Sequence, residues 1–156
     1  MLTSDQKGSI AETAIVAAAA KLGIGVFKPL TDGERYDLIF DLRPHLMRVQ
    51  CKWACMRGEV VIVRCVSARR AADGVRRRTY TAEEIDAFAA YCSGTDTCYF
   101  LPIDAFPSHR AIQLRLRAAR NNQRLGINWA SDFEFAARLG RSGAVAQLGE
   151  RLAGSQ

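Results

Sequence analysis

Between residues 35 and 67 three segments suited to β-structure follow one another with little between them: Arg35–Leu42 (RYDLIFDL), Leu46–Ala54 (LMRVQCKWA) and Glu59–Ser67 (EVVIVRCVS). Their β-branched and aromatic content favours a pleated, half-buried surface. The short link Arg43-Pro44-His45 makes the first two a hairpin. Such a run commits the chain to a central sheet, which the remaining residues must cover. Ser9–Leu22 (SIAETAIVAAAAKL) is alanine-rich with helical apolar spacing, stopped by Gly23 and Gly25. A short strand is expected around Val26–Pro29, followed by the turn signal Thr31-Asp-Gly-Glu. Ala68–Thr79 (ARRAADGVRRRT) reads as a loop or hairpin tip. Thr81, with Glu84 three residues on, forms a capping box that predicts a helix to about Tyr91. Thr97–Ile103 is expected as a strand, and Ser108–Gln123 as an amphipathic helix with Ile112, Leu114 and Leu116 as its apolar positions. The order α, β, β, β, β, α, β, α predicts an α/β fold with a mixed central β-sheet flanked by helices.

The 156 residues fit one domain, and a hydrophobic content of 49% is enough to offset the ordering entropy of a globular core. The longest apolar run, Ala14–Ala20, is far shorter than the roughly 20 residues that span a bilayer. The amino terminus lacks a basic stretch followed by an apolar one, so no signal peptide, no membrane association and a cytoplasmic location are expected. Cysteines 51, 55, 65, 92 and 98 are odd in number. With no secretory signal they are expected to be reduced thiols, mostly buried. Only Cys51 and Cys55 are closely spaced, which does not make a structural zinc site. Trp129, Phe133 and Phe135 are expected in the core, with a subunit contact as the alternative.

The formal net charge is +6, but it is unevenly spread. Arg57–Arg78 holds seven arginines against Glu59 and Asp73, and Arg110–Arg124 holds five with no acid. Two segments of net +5 in a chain of net +6 leave the remainder at −4. Such asymmetry suits a polyanion, because neutralised phosphates release their counterions, and the arginine fork grips phosphate or guanine edges in a bidentate way. Charge alone leaves a solvated basic face, DNA, RNA and anionic lipid all open.

A second pattern narrows the chemistry. Glu12 falls on the first helix, Asp37 on the first hairpin strand, and Gln50-Cys51-Lys52 on the second. Strand alternation puts Gln50 and Lys52 on one face. Burying Lys52 between Cys51 and Trp53 costs several kcal/mol unless it is paired, and an acid across the hairpin, Asp37, stands at about the right distance from the turn to pair it. Carboxylates with one lysine are what metal-dependent phosphodiester hydrolysis needs: hard oxygen ligands for Mg²⁺, and a cation to position water or stabilise the crowded phosphate. A structural lysine pair at the sheet edge, with Gln50 an ordinary strand residue, fits the same spacing.

The motifs Lys7-Gly8-xxx-Glu12, Tyr36-Asp37-Leu-Ile, Val49-Gln50-Cys51-Lys52, Tyr80–Tyr91 (YTAEEIDAFAAY) and Cys98-Tyr-Phe-Leu-Pro102 together resemble the PD-(D/E)XK nuclease superfamily. The resemblance is best to its small homing endonucleases encoded by group I introns, which share a core with archaeal-type Holliday-junction resolvases. It implies a restriction-endonuclease-like core, and a nuclease domain over 1–140 with 141–156 as a tail. It further implies that Asp37 is the principal metal-binding acid, that Glu12 completes the site, and that Lys52 is the catalytic lysine. Gln50 stands where most of the superfamily has Glu or Asp; this branch is similar in tolerating glutamine, which would ligate Mg²⁺ or Mn²⁺ without adding charge. Tyr36 takes the place of the usual Pro.

By the same resemblance, Lys7 and the arginines after the lysine strand, Arg57, Arg69, Arg70, Arg76, Arg77 and Arg78, are expected on double-stranded DNA. A homodimer or homotetramer is expected on a nearly palindromic site. The reading is a sequence-specific, divalent-metal-dependent endonuclease. A structure-selective junction resolvase and a non-catalytic DNA-binding relic of the fold are the alternatives. The carboxy-terminal run from Ser142 looks like a reading frame that has run into a tRNA gene, or else a short terminal helix.

Overall fold

The computed structural model describes residues 1–118, 121 and 125–140, so the tail from 141 on and its expected origin lie outside the described residues. The chain opens with α1 (Ser4–Lys21), held by a capping box in which the Gln6 amide donates to Thr3 Oγ1 at 3.2 Å and the Thr3 amide to Gln6 Oε1 at 2.8 Å. Ala11, Ile15 and Ala19, four apart, form its buried face. Gly23, at φ 77°, ends the helix where a side chain would be strained. The strands are β1 (Gly25–Phe27), β2 (Leu38–Asp41), β3 (Leu46–Arg57), β4 (Val60–Arg64), β5 (Val66–Ala71), β6 (Gly74–Thr79), β7 (Ala87–Cys92), β8 (Thr97–Pro102) and β9 (Ala111–Arg115); a short α2 (Phe135–Leu139) closes the described chain.

Among the described residues seven strands form one mixed sheet around β3, which is twelve residues long. Its first half pairs antiparallel with β2 and its middle parallel with β7, while its end turns back into β4, which pairs β9. The expected hairpin is present, its turn closed by Leu42 N–H donating to His45 O at 2.9 Å. Strands β5 and β6 stand apart as a two-stranded ribbon, the expected hairpin tip. This is the mixed α/β architecture expected from the sequence, with helical cover mainly from α1.

Within the described residues, two expected helices are strands. Thr81 and Glu84 do form their cap: the Thr81 amide and hydroxyl donate to Glu84 Oε1, and the Ile85 amide reaches Thr81 O. The helix stops after that turn, because Arg48 seizes it with bonds to Asp86 and to the carbonyls of Ala82 and Glu83. The next residues, Ala87–Cys92, then lie between β3 and β8, almost wholly buried. A parallel strand enclosed on both faces reads as a continuous apolar run, and burial here overrides alanine's helix preference. In the second case Ile112 and Leu114 are buried while Ala111 and Gln113 are exposed, a period of two that belongs to a strand.

Two apolar clusters flank the sheet. One joins α1 to Leu38, Phe40, Val49 and Phe100, with the Phe135 ring edge-on to both Phe40 and Phe100. The other gathers Val61, Val63, Ile112 and Leu114 with Tyr80, Phe88 and Phe133. Phe133 and Phe135 are thus core residues, as expected. Cys65, Cys92 and Cys98 are buried, Cys51 is half-buried and Cys55 is exposed. Among the described residues no helix is long and apolar enough to cross a membrane.

Candidate active site

The register of β2 on β3 builds the site. Leu38 faces Val49, so Asp37, one residue earlier, arrives beside Gln50 and Cys51. Its amide donates to Val49 O at 2.9 Å, and its Oδ2 accepts the Cys51 amide at 3.0 Å. Burial raises the pKa of this carboxyl above the ordinary aspartate value; the Cys51 amide opposes that and the nearby negative charge of Glu12 adds to it, with Lys52 and Lys28 pulling the other way. Glu12 reaches the site from α1, where Lys28 Nζ lies 2.6 Å from its Oε1. The bond to Glu12, and then its charge, raise the Lys28 pKa, with Asp37 contributing. Glu12 and Lys28 share an open groove of about 530 Å³ with Ser9, Thr13, Val16 and Ala17.

Lys52 lies on the side of the sheet opposite α1. Its Nζ donates to Val66 O at 3.1 Å, sits 3.5 Å from Tyr80 Oη and lies 5.0 Å from the centre of that ring. Burial lowers its pKa, against the charges of Cys65 and Asp37. The expected direct pairing with Asp37 is therefore replaced by a carbonyl and an aromatic ring, with Asp37 acting at longer range. Gln50 Nε2 lies 3.5 Å from Cys51 O, at the outer limit of a hydrogen bond. The structure thus brings Asp37 within electrostatic reach of both Glu12 and Lys52, with Gln50 next to Asp37 in register, while Glu12 and Lys52 lie on opposite sides of the sheet with no contact between them. Lys7 does not join them; it lies 6.0 Å above the Trp53 ring.

Sequence reasoning missed two cations. Lys28 falls opposite Leu38 when the β1–β2 register is extended by one step, and that count was the available signal. Arg35 had none, because its partners come from four later positions: Ser67, Thr79, Tyr80 and Glu84.

The expected DNA contacts lie on the ribbon and its base. Arg69 stands opposite Arg76, and Ala68 opposite Arg77. Arg76 pairs with Asp73 at 3.4 Å and Arg78 with Glu84 at 2.9 Å, while Arg69, Arg70 and Arg77 are exposed. Arg57 and Arg77 line a concavity of about 440 Å³ together with Arg64, Arg110 and Gln113, and no acid lines it.

The family model for the PD-(D/E)XK endonuclease matches residues 2–136. The chain belongs to that family. Among solved structures this PD-(D/E)XK endonuclease is similar to the bacterial homing endonuclease I-Ssp6803I, with 26% identity, a TM-score of 0.73 and coverage of 99% of this chain and 98% of the other. No curated protein matches. Membership makes the chain a nuclease, and DNA its substrate class.

The donors present fit a hard divalent cation. Glu12 and Asp37 place two carboxylates within electrostatic reach of each other, one of them desolvated, and an exposed ammonium, Lys28, pairs with Glu12. Among the described residues no group of three or more His, Cys, Asp or Glu that could hold a metal ion is found.

Proposed function

We propose that this PD-(D/E)XK endonuclease is a sequence-specific, divalent-metal-dependent homing endonuclease acting on double-stranded DNA. The observation that carries this reading is Asp37 beside β3, its carboxylate held by the Cys51 amide and acted on by the charges of both Glu12 and Lys52, with the exposed arginine ribbon leaving the body at Val66, whose carbonyl holds Lys52. Glu12 and Asp37 would hold Mg²⁺ or Mn²⁺, with the Gln50 amide oxygen as a neutral third donor. The cation would supply Lewis-acid stabilisation of the phosphate and an activated water. Lys52 Nζ, held by Val66 O and Tyr80, would orient toward the scissile phosphate and offset charge there. Cys51 N–H fixes the Asp37 carboxylate by its Oδ2. Lys7, Arg57, Arg69, Arg70, Arg76, Arg77 and Arg78 would hold the duplex, aided by Arg64 and Arg110, and a two-fold homodimer or homotetramer would read a nearly palindromic site.

The test is to recover a cleavable duplex from a randomised pool with the native chain and Mg²⁺. Asp37→Ala and Lys52→Ala should lose cleavage of that duplex while still binding it, and chelation should silence the native chain. Normal cutting by both variants would refute the site. Cleavage of four-way junctions regardless of sequence would favour a resolvase, and binding without cutting, cured by Gln50→Glu, a relic.

A further inference from the structure

The ribbon and Lys52 are mechanically joined. Both ribbon strands leave the body of the protein at the facing pair Val66 and Thr79. The Val66 carbonyl accepts Lys52 Nζ, and the Thr79 carbonyl accepts Arg35 Nη2 at 2.8 Å. Arg35 Nη1 donates to Ser67 Oγ at 2.8 Å, so one guanidinium holds β5 and β6 together. Its Cζ stands 3.9 Å from the centre of the Tyr80 ring, the same ring that Lys52 Nζ overlies. Glu84 completes the cluster: its Oε2 is 2.9 Å from both Arg35 Nε and Arg78 Nη2, although the Nε–H is not aligned for a hydrogen bond. The Arg35 side chain is only 22% exposed.

A hairpin does not need this arrangement to form, since its own backbone ladder closes it. Largely removing a guanidinium from water is costly unless its donors are used, and here both Nη groups are spent on the base of the ribbon while the guanidinium plane lies against the ring that Lys52 overlies. We propose that Arg35 is a positioning residue that couples the duplex-binding ribbon to Lys52, so that engagement of the ribbon sets the place of the ammonium. The proposal rests on the nuclease function proposed for the chain. Displacement of the ribbon moves Val66 O, Thr79 O and Tyr80 as one unit, and Lys52 is bonded to that unit.

A double-mutant cycle under single-turnover conditions, with enzyme saturating over the selected duplex, tests it. Saturation removes binding from the measured rate. Arg70→Ala, on the ribbon and outside the cluster, should slow cleavage of bound duplex by about tenfold, a coupling of roughly 1.4 kcal/mol. Arg35→Gln should slow it at least as much, and the double variant should be no slower than Arg35→Gln alone. Arg35→Lys keeps the charge but not the fork that spans Ser67 and Thr79, so it should behave as Arg35→Gln. Independent, multiplicative effects in an active chain, or full rescue by Arg35→Lys, would overturn the coupling and leave the nuclease reading standing. A native chain that cuts no duplex overturns both. Should Arg35→Gln fail to fold, Ser67→Ala replaces it in the cycle. That variant removes the hydroxyl that accepts Arg35 Nη1 and leaves the ribbon's backbone ladder in place; non-additivity with Arg70→Ala supports the proposal and additivity overturns it.

Discussion

In the proposed metal site Gln50 would set how strongly a cation is attracted: its amide oxygen would be a ligand without charge, whereas a glutamate there would add a third negative group beside Asp37. Gln50→Glu should therefore lower the Mg²⁺ concentration for half-maximal cleavage by about tenfold, equivalent to roughly 1.4 kcal/mol. Lys28 works in the opposite sense, because its ammonium occupies the charge that a metal would neutralise. Lys28→Met should shift the same metal titration downward; an upward shift would mean that Lys28 helps the reaction. Asp37 gives a stability prediction as well. Its folded pKa is raised, chiefly by burial, so between the ordinary aspartate value and the raised one the native state binds more protons than the unfolded state. Stability of the metal-free protein falls as pH rises through that window, and the full penalty stands above it. Asp37→Asn should remove this pH dependence and raise Tm at neutral pH, by about 2–4 °C for each kcal/mol relieved. Melts without metal from pH 4, just above the ordinary aspartate value, up to pH 7 compare the two; an unchanged pH response would discount the burial of Asp37. The places of Glu12 on α1 and of Lys52 on β3 were legible because strand alternation and helix placement can be counted along a chain, whereas the partners that take Lys52 away from Asp37, Val66 and Tyr80, come from later segments. Arg35 was not, since nothing local to it announces Tyr80 and Thr79.

Secondary elements show where local and tertiary preferences part. The capping box at Thr81 and Glu84 is a true local signal, and it makes one turn. The path of the chain beyond that turn is decided by Arg48, whose backbone amide and side chain both reach Asp86 from β3. That pair registers β7 against β3 and ends the turn at the place where the parallel strand must begin. Asp86→Ala leaves the guanidinium half-buried without its carboxylate and should cost about 2 kcal/mol, the range of a lost charged hydrogen bond. Urea unfolding should show a lower midpoint with an unchanged slope. A variant as stable as the native chain would show that the parallel pairing alone fixes the register. The hairpin and α1 were legible because their signals are local: a short turn, an alanine-rich helix and glycine stops. β7 was hidden because a strand buried on both faces has no alternation to read. β9 was misread although its alternation was present: Ile112, Leu114 and Leu116 stand two apart, the period of a strand and not of a helix.

At the scale of the molecule two fields of opposite sign share one small body. Glu12 and Asp37 repel phosphate, and they sit in the part of the chain that is net negative once the two basic segments are set aside. A duplex therefore has to be drawn in from elsewhere, and among the described residues the ribbon with the concavity beside β4 and β9 offers a positive surface to do it. The division of labour has a measurable signature. Each arginine that neutralises a phosphate contributes about 0.9 to the slope of log affinity against log salt, so Arg69→Ala, Arg70→Ala and Arg77→Ala combined should flatten that slope by up to roughly 2.7. Lys52→Ala, whose ammonium is held inward by Val66 O, should leave the slope nearly as it is while removing cleavage. Binding titrations of the selected duplex over a range of NaCl, without metal, measure both. If the triple ribbon variant keeps the native slope, the duplex lies against another surface, and the concavity lined by Arg64 and Arg110 becomes the place to substitute next.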